Sequence, residues 1–421
     1  MTLTRRFVLL TALRWTPVGL WVPFSVLIMR ERGLSLTAIG LLWSVYSVTV
    51  ALLELPTGGL ADTIGRRSVL VLGTLLSGAM FTLMLFARDL PTLMVAFVLY
   101  GIERALRSGP LEAWYVDTAR RAGEGDRLRR GLSGAGVAEA GALGVGGLVS
   151  GFLPRLAPGL PEGAAAPLSQ LTLPLVVAVG VELALVVALF AWVDEDRVRH
   201  RGSLRRAVRE APAVVRSGLA LGARDPGLRL LLLGVAAVGF AMVAVELLWQ
   251  PRLAELLGGA DRTELFGAAS ALAFLAAAAG AALAPRFGGD AGRGAAAATL
   301  AHGVLLAGLA AAGSLAGAGV AYGIVYLAQG LAWPLRQELL HERVTEAQRA
   351  TMLSALSLAL MAGGLVGNLS LTSLAERTGI PVTWAVAAAV AGLSAILYLR
   401  IPRIGQGPAV VNNADDERAH A

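Results

Sequence analysis

Long apolar stretches recur along this chain with only short polar breaks between them, and that pattern limits what it can fold into. A helix crossing the hydrocarbon core of a bilayer needs about 20 mainly apolar residues, because the core is about 30 Å thick and each residue rises 1.5 Å. Twelve segments meet that need: 7–29, 37–59, 68–87, 91–116, 131–153, 171–193, 228–250, 264–285, 293–312, 318–340, 350–372 and 379–400. Hydrophobic residues make up 56% of the 421 and charged residues 15%, against about 25% charged in a soluble domain. So much apolar surface exceeds what soluble cores enclose, and the expected class is an all-α membrane protein.

All 36 basic residues are arginine. Without lysine there is no Walker P-loop and no Schiff-base chemistry, so direct ATP drive by this chain alone is not expected. Cysteine is absent, and His200, His302, His341 and His420 are too scattered to form a metal-ligand pair. No nucleophile or zinc-binding motif stands in the sequence, so neither enzyme activity, a metal nor another cofactor is expected. The net charge of +7 does not mark a nucleic-acid binder, because the arginines fall in alternate loops and not in one aromatic-interleaved patch.

With the N-terminus placed inside, the cytoplasmic side carries 25 arginines and the outer side 7, while Arg14, Arg104, Arg107 and Arg336 lie within the spans. That bias obeys the positive-inside rule and places both termini in the cytoplasm. The opening Thr4-Arg5-Arg6-Phe7 has the look of a twin-arginine export signal, but Arg14 interrupts the apolar run and no small-residue cleavage site follows. The chain divides into a six-helix unit at 1–193, a cytoplasmic linker at 194–227, a second six-helix unit at 228–400 and a polar, disordered tail at 401–421. In the linker Leu204, Val208, Ala211, Val215 and Leu219 recur at helical spacing between arginines, which suits either an interfacial helix kinked at Pro212 or a solvated basic loop. The halves read as diverged copies: Leu60-Ala61 matches Leu283-Ala284, Pro110 matches Pro334, and Leu132-Ser133 matches Leu353-Ser354 at nearly constant offset. A duplicated bundle places a substrate site between its halves near the midplane.

The loop between spans two and three reads Gly58-Gly59-Leu60-Ala61-Asp62-Thr63-Ile64-Gly65-Arg66-Arg67. Its glycines permit a tight turn, and Asp62 can accept charge-assisted hydrogen bonds. The segment resembles the G-x-L-A-D-R-x-G-R-K signature of the major facilitator superfamily, with threonine and arginine at two of its basic positions. The resemblance extends over residues 1–400 and to Glu54-Leu55-Pro56-Thr57-Gly58 and Ser108-Gly109-Pro110, which look like a poorly characterised bacterial branch of that superfamily. It implies a conformational latch made by Gly58, Asp62, Gly65, Arg66 and Arg67, which stabilises the outward-facing state without touching substrate. Glu112 and Asp117 are available to pair with Arg66, Arg67 or Arg120 in the same latch. Gly136, Gly141, Gly144, Gly146 and Gly147 in span five resemble the glycine-rich signature of drug/proton antiporters, although Val145 replaces its proline; close helix packing accounts for these glycines equally well.

Ionisable residues inside a membrane are costly and mark function. Glu139, Glu103 and Glu182 are the candidates for carrying a proton, with Glu139 first because it has no charged neighbour one turn away; Glu54 and Glu246 stand nearer the ends of their spans. Glu103 and Arg107, at i and i+4, can equally form a self-satisfied ion pair. Arg14, Arg104, Arg107, Trp21, Phe240 and Trp333 are the candidates for lining the cavity, although tryptophans near span ends also serve as interfacial anchors. The expectation is a monomeric transporter in the bacterial inner membrane that exports a small organic compound, a drug or metabolite, in exchange for protons by alternating access. A proton- or sodium-coupled importer and a non-transporting sensor of the same fold are the alternatives.

Overall fold

Lipid offers no partner for a backbone N–H or C=O, so spanning segments satisfy their hydrogen bonds internally, and this chain does so with helices throughout its described residues. The computed structural model describes residues 1–58, 60, 64–161, 166–194, 220–222, 224–286 and 290–402. Asp62, nearly all of the linker and all but the start of the tail lie outside them.

The helices are α1 (Leu3–Trp21), α2 (Ser25–Glu31), α3 (Leu36–Gly58), α4 (Arg66–Phe86), α5 (Leu90–Arg107), α6 (Pro110–Arg121), α7 (Leu128–Phe152) and α8 (Leu173–Trp192) in the first half. In the second half they are α9 (Pro226–Leu257), α10 (Thr263–Leu283), α11 (Ala291–Ala311), α12 (Leu315–His341), α13 (Glu346–Thr378) and α14 (Ile380–Leu399). Eleven spans among the described residues are long and apolar enough to cross a membrane, α1 and α2 counting as one across the short 3-10 turn at Val22–Phe24.

The expected crossing at 91–116 differs from the other eleven. It is two helices, α5 and α6, broken where Gly109 adopts φ +89° and Pro110 starts the next helix. Only a residue without Cβ takes that φ readily, and proline cannot continue the preceding hydrogen-bond ladder. Glu103, Arg104 and Arg107 close α5, so this segment is too charged to count as a simple apolar span.

The packing of the first half is repeated in the second. α1 lies against α7 and α8 as α9 lies against α13 and α14, and α4 lies against α5 and α8 as α11 lies against α12 and α14. Likewise α3 packs on α5 as α10 packs on α12, and the halves meet along two matching seams, α3 with α13 and α7 with α10.

Both seams are tightest at the end of the molecule opposite the N-terminus. A Cβ on Gly267 of α10 would collide with the backbone of Gly147 and Gly151 on α7, so the helices touch main chain to main chain. Thr263 Oγ1 donates to Gly151 O at 2.8 Å, and Arg155 pairs with Glu264 at 2.8 Å. Across the other seam Glu376 accepts from the Leu36 amide at 2.7 Å and from Thr37 Oγ1 at 2.5 Å. Between them the buried Gln250 of α9 accepts from the amides of Val26 and Leu27 and donates to Val22 O and Ser25 Oγ, which fastens the bent end of α1 and α2 to the second half. The molecule is therefore closed at that end.

Candidate functional site

The charges ending α5 meet partners from three other helices. Arg107 Nη1 lies 3.2 Å from Glu103 Oε2 one turn earlier and 3.0 Å from Glu182 Oε1 on α8, while Nη2 donates to Arg14 O of α1 at 3.0 Å. Ser77 Oγ of α4 donates to the same Glu182 oxygen at 2.6 Å. The guanidinium reaches α8 by passing over Gly73, where a Cβ would press on Arg107 Cγ. All three charged groups are buried, which is tolerable in a membrane bundle only because each neutralises another.

Beside this network opens a cavity of about 90 Å³, lined by Arg14, Trp15, Val18, Tyr46, Tyr100, Glu103, Arg104 and Arg107. Arg14 stands over the Trp15 ring at 5.5 Å. Half-buried Glu139 of α7 lies within electrostatic range of Arg14 and Arg104 but makes no hydrogen bond or ion pair with either. The first half thus brings three arginines and three glutamates together, and the three expected cavity arginines, Arg14, Arg104 and Arg107, all line the space. Glu182, central in α8, is committed to Arg107.

A further carboxylate belongs to the other half. Glu246 of α9 is exposed although Met242, Val243, Val245, Leu247 and Gln250 around it are buried. Among the described residues it has no ion pair, and Tyr46, Tyr322 and Tyr326 are its electrostatic neighbours. Tyr46 therefore borders both the arginine cavity and Glu246. Aromatic rings continue on each side: Tyr46 meets Tyr100 at 4.7 Å and Trp43 at 5.4 Å, and Tyr322 meets Tyr326 at 4.9 Å and Trp249 at 5.7 Å. Trp43 Nε1 and Gln329 Oε1 are covered by protein without a hydrogen-bond partner.

The tryptophan and phenylalanine candidates fall elsewhere. Trp21 is packed in the core edge-on to Phe81 at 6.5 Å, Phe240 is partly buried against the same core, and Trp333 packs against a separate cluster in the second half. The apolar span at 228–250 sets Glu246 near its end, whereas α9 runs to Leu257 and holds Glu246 well inside. Tyr46 and Tyr326 carried no signal beyond being polar aromatics in apolar helices.

In the loop between α3 and α4, Gly58 ends α3 and Gly65 precedes α4 with φ +93°. Arg66 pairs with Asp117 of α6 at 2.6 Å, and Arg67 stacks over Phe190 at 5.6 Å. Arg66 and Arg67 thus tie α4 to α6 and α8 within the first half.

The family model of the Major Facilitator Superfamily matches residues 7–327, more than half the chain. No curated protein matches the sequence. Among solved structures, a mutant form of the nucleoside transporter NupG superposes with TM-score 0.79 at 11% identity, covering 96% of this chain and 100% of the other. NupG itself gives TM-score 0.74 at 11% identity over 95% and 99%. The human organic anion transporter MFSD10 (TETRAN) gives 0.64 at 17% identity over 94% and 100%. At such identities these likenesses establish the fold.

Proposed function

Because the chain belongs to the Major Facilitator Superfamily, whose members carry small molecules across membranes, we propose that it exchanges a small organic cation for protons by alternating access. The observation that carries this reading is Glu246, an exposed carboxylate within α9 that has tyrosines around it and, among the described residues, no basic partner. An isolated carboxylate at that depth is stabilised by whatever neutralises it, either a proton or a cationic ligand. A group that holds one or the other, never both, couples their movements in opposite directions. Rings of Tyr46, Tyr322, Tyr326 and Trp249 favour a cation with an apolar body, since ring faces attract positive charge. The charge balance agrees: Arg14, Arg104 and Arg107 face Glu103, Glu139 and Glu182, and Glu246 adds one more negative charge.

The arginine bias between loops supports insertion in a bacterial inner membrane with both termini cytoplasmic, where an inward proton gradient drives export. The closed end then faces outward, and Gly58, Asp62, Gly65, Arg66 and Arg67 form the latch that steadies the opposite state. The functional unit is the monomer.

A second reading rests on a different observation. Glu139 faces Arg14 and Arg104 without bonding either, so its protonation would release two arginines for an organic anion, which is proton-coupled import. Fluorescent cations and labelled organic anions offered to inverted vesicles, with and without an imposed proton gradient, separate the two. Gradient-driven cation uptake abolished by Glu246→Gln supports exchange; anion movement abolished by Glu139→Gln and untouched by Glu246→Gln overturns it.

A further inference from the structure

Arg336 of α12 and Arg107 of α5 stand on equivalent helices, each between the third and sixth crossings of its own half, with Arg336 more than one turn further along. Arg107 pairs with two carboxylates; among the described residues Arg336 pairs with none. It is completely buried, and Nη2 donates to Thr299 Oγ1 of α11 at 3.0 Å. Its guanidinium carbon stands 5.8 Å from the ring centre of Tyr398 on α14. Nε and Nη1 are covered by protein and meet no acceptor. Tyr398 Oη faces the same guanidinium and Thr299 without reaching good hydrogen-bond geometry with either, and the buried His302 follows Thr299 one turn along α11.

A guanidinium does not lose its proton in a protein, so this positive charge is permanent. Left uncompensated at zero exposure it is among the costliest arrangements a bundle can hold, and one ring face and one hydroxyl do not replace a counter-charge. The missing partner must be negative, accept hydrogen bonds from N–H and O–H edges without donating any, and be small enough to fit among Leu335, Leu339 and Ala295, which wall this cluster. We propose that a small inorganic anion of the halide type binds at Arg336, Thr299 and Tyr398, supplying the counter-charge that Glu182 and Glu103 supply in the first half.

The test is thermal unfolding of the purified protein in detergent, titrating chloride or bromide against gluconate at constant ionic strength. The proposal expects a saturable rise in Tm with either halide. It also expects Thr299→Asp, which builds in a carboxylate, to keep the high Tm with the halide dependence gone, and Arg336→Gln to lose the dependence as well. Should Arg336→Gln not fold, Thr299→Asp and Tyr398→Phe carry the test, the latter shifting half-saturation to higher halide. A wild-type Tm equal in chloride and gluconate overturns the proposal, as does a halide response of the same size in wild type and Thr299→Asp.

Discussion

Arg107 reaches from α5 to Glu182 on α8, 3.0 Å from Nη1 to Oε1, and both side chains are almost wholly enclosed. With Glu103 at 3.2 Å, one cation serves two carboxylates. Arg107→Gln strands both acids in a dry interior, and breaking a buried pair in this way costs about 3–5 kcal/mol. The double variant Arg107→Gln/Glu182→Gln is expected to be more stable than the single one, with a coupling of about 1–3 kcal/mol in a double-mutant cycle read by thermal unfolding. Strict additivity of the two substitutions would show that the network is not a unit.

Gly267 and Gly151 hold the closed end shut through direct backbone contact, so adding volume there should pry the seam between α7 and α10 apart. Gly267→Val is expected to shift the population toward the state open at that end. The chain has no cysteine, so a single Ser270→Cys, at a position 1% exposed beside Gly147, reports the opening without background. Several-fold faster modification by a membrane-impermeant maleimide in the Gly267→Val background is expected; an unchanged rate would mean that the seam is not what keeps this end closed.

The sequence made the spans legible because lipid imposes one length and one polarity on every crossing, and eleven of twelve expected crossings meet those terms. The one that does not, α5 with α6, is where Glu103, Arg104 and Arg107 gather, and charge obscured it for the same reason that it matters. Pairing in space was legible only within a helix: Glu103 with Arg107 follows from i, i+4 spacing, whereas Arg107 with Glu182 depends on Gly73 leaving room for the guanidinium to cross α4. Glu246 looks terminal in the sequence because the apolar run stops at 250, seven residues before the helix does, and the contrast between Arg107 and Arg336 lies in the packing of both halves together. Single spans carry no record of which neighbour they face.

Asp89 caps α5 by accepting from the Thr92 amide at 2.9 Å and from its hydroxyl. These hydrogen bonds favour the ionised form and hold its carboxyl below the ordinary 3.8. A group whose folded-state pKa is depressed contributes stability above its unfolded value and loses it as the pH falls through the folded one. Acid unfolding below about pH 4 should therefore be less steep in Asp89→Asn, which caps without titrating. A Tm difference between Asp89→Asn and wild type that is constant from pH 7 to about pH 3 would remove the carboxylate from the acid response.

Arg66 and Asp117 meet at 2.6 Å with side chains 24% and 46% exposed, so solvent screens their attraction and the pair contributes about 0–1 kcal/mol to stability. A latch does not need more. If the pair forms in one state of the cycle and parts in the other, even half a kcal/mol changes the ratio of states by roughly two-fold. Asp117→Asn should leave Tm within about 1–2 °C of wild type while changing turnover and the labelling of Ser270→Cys together. Charge reversal of both partners, Arg66→Asp with Asp117→Arg, should restore each. A loss of turnover with no change in labelling would place the pair outside the conformational equilibrium and leave it a surface tie between α4 and α6.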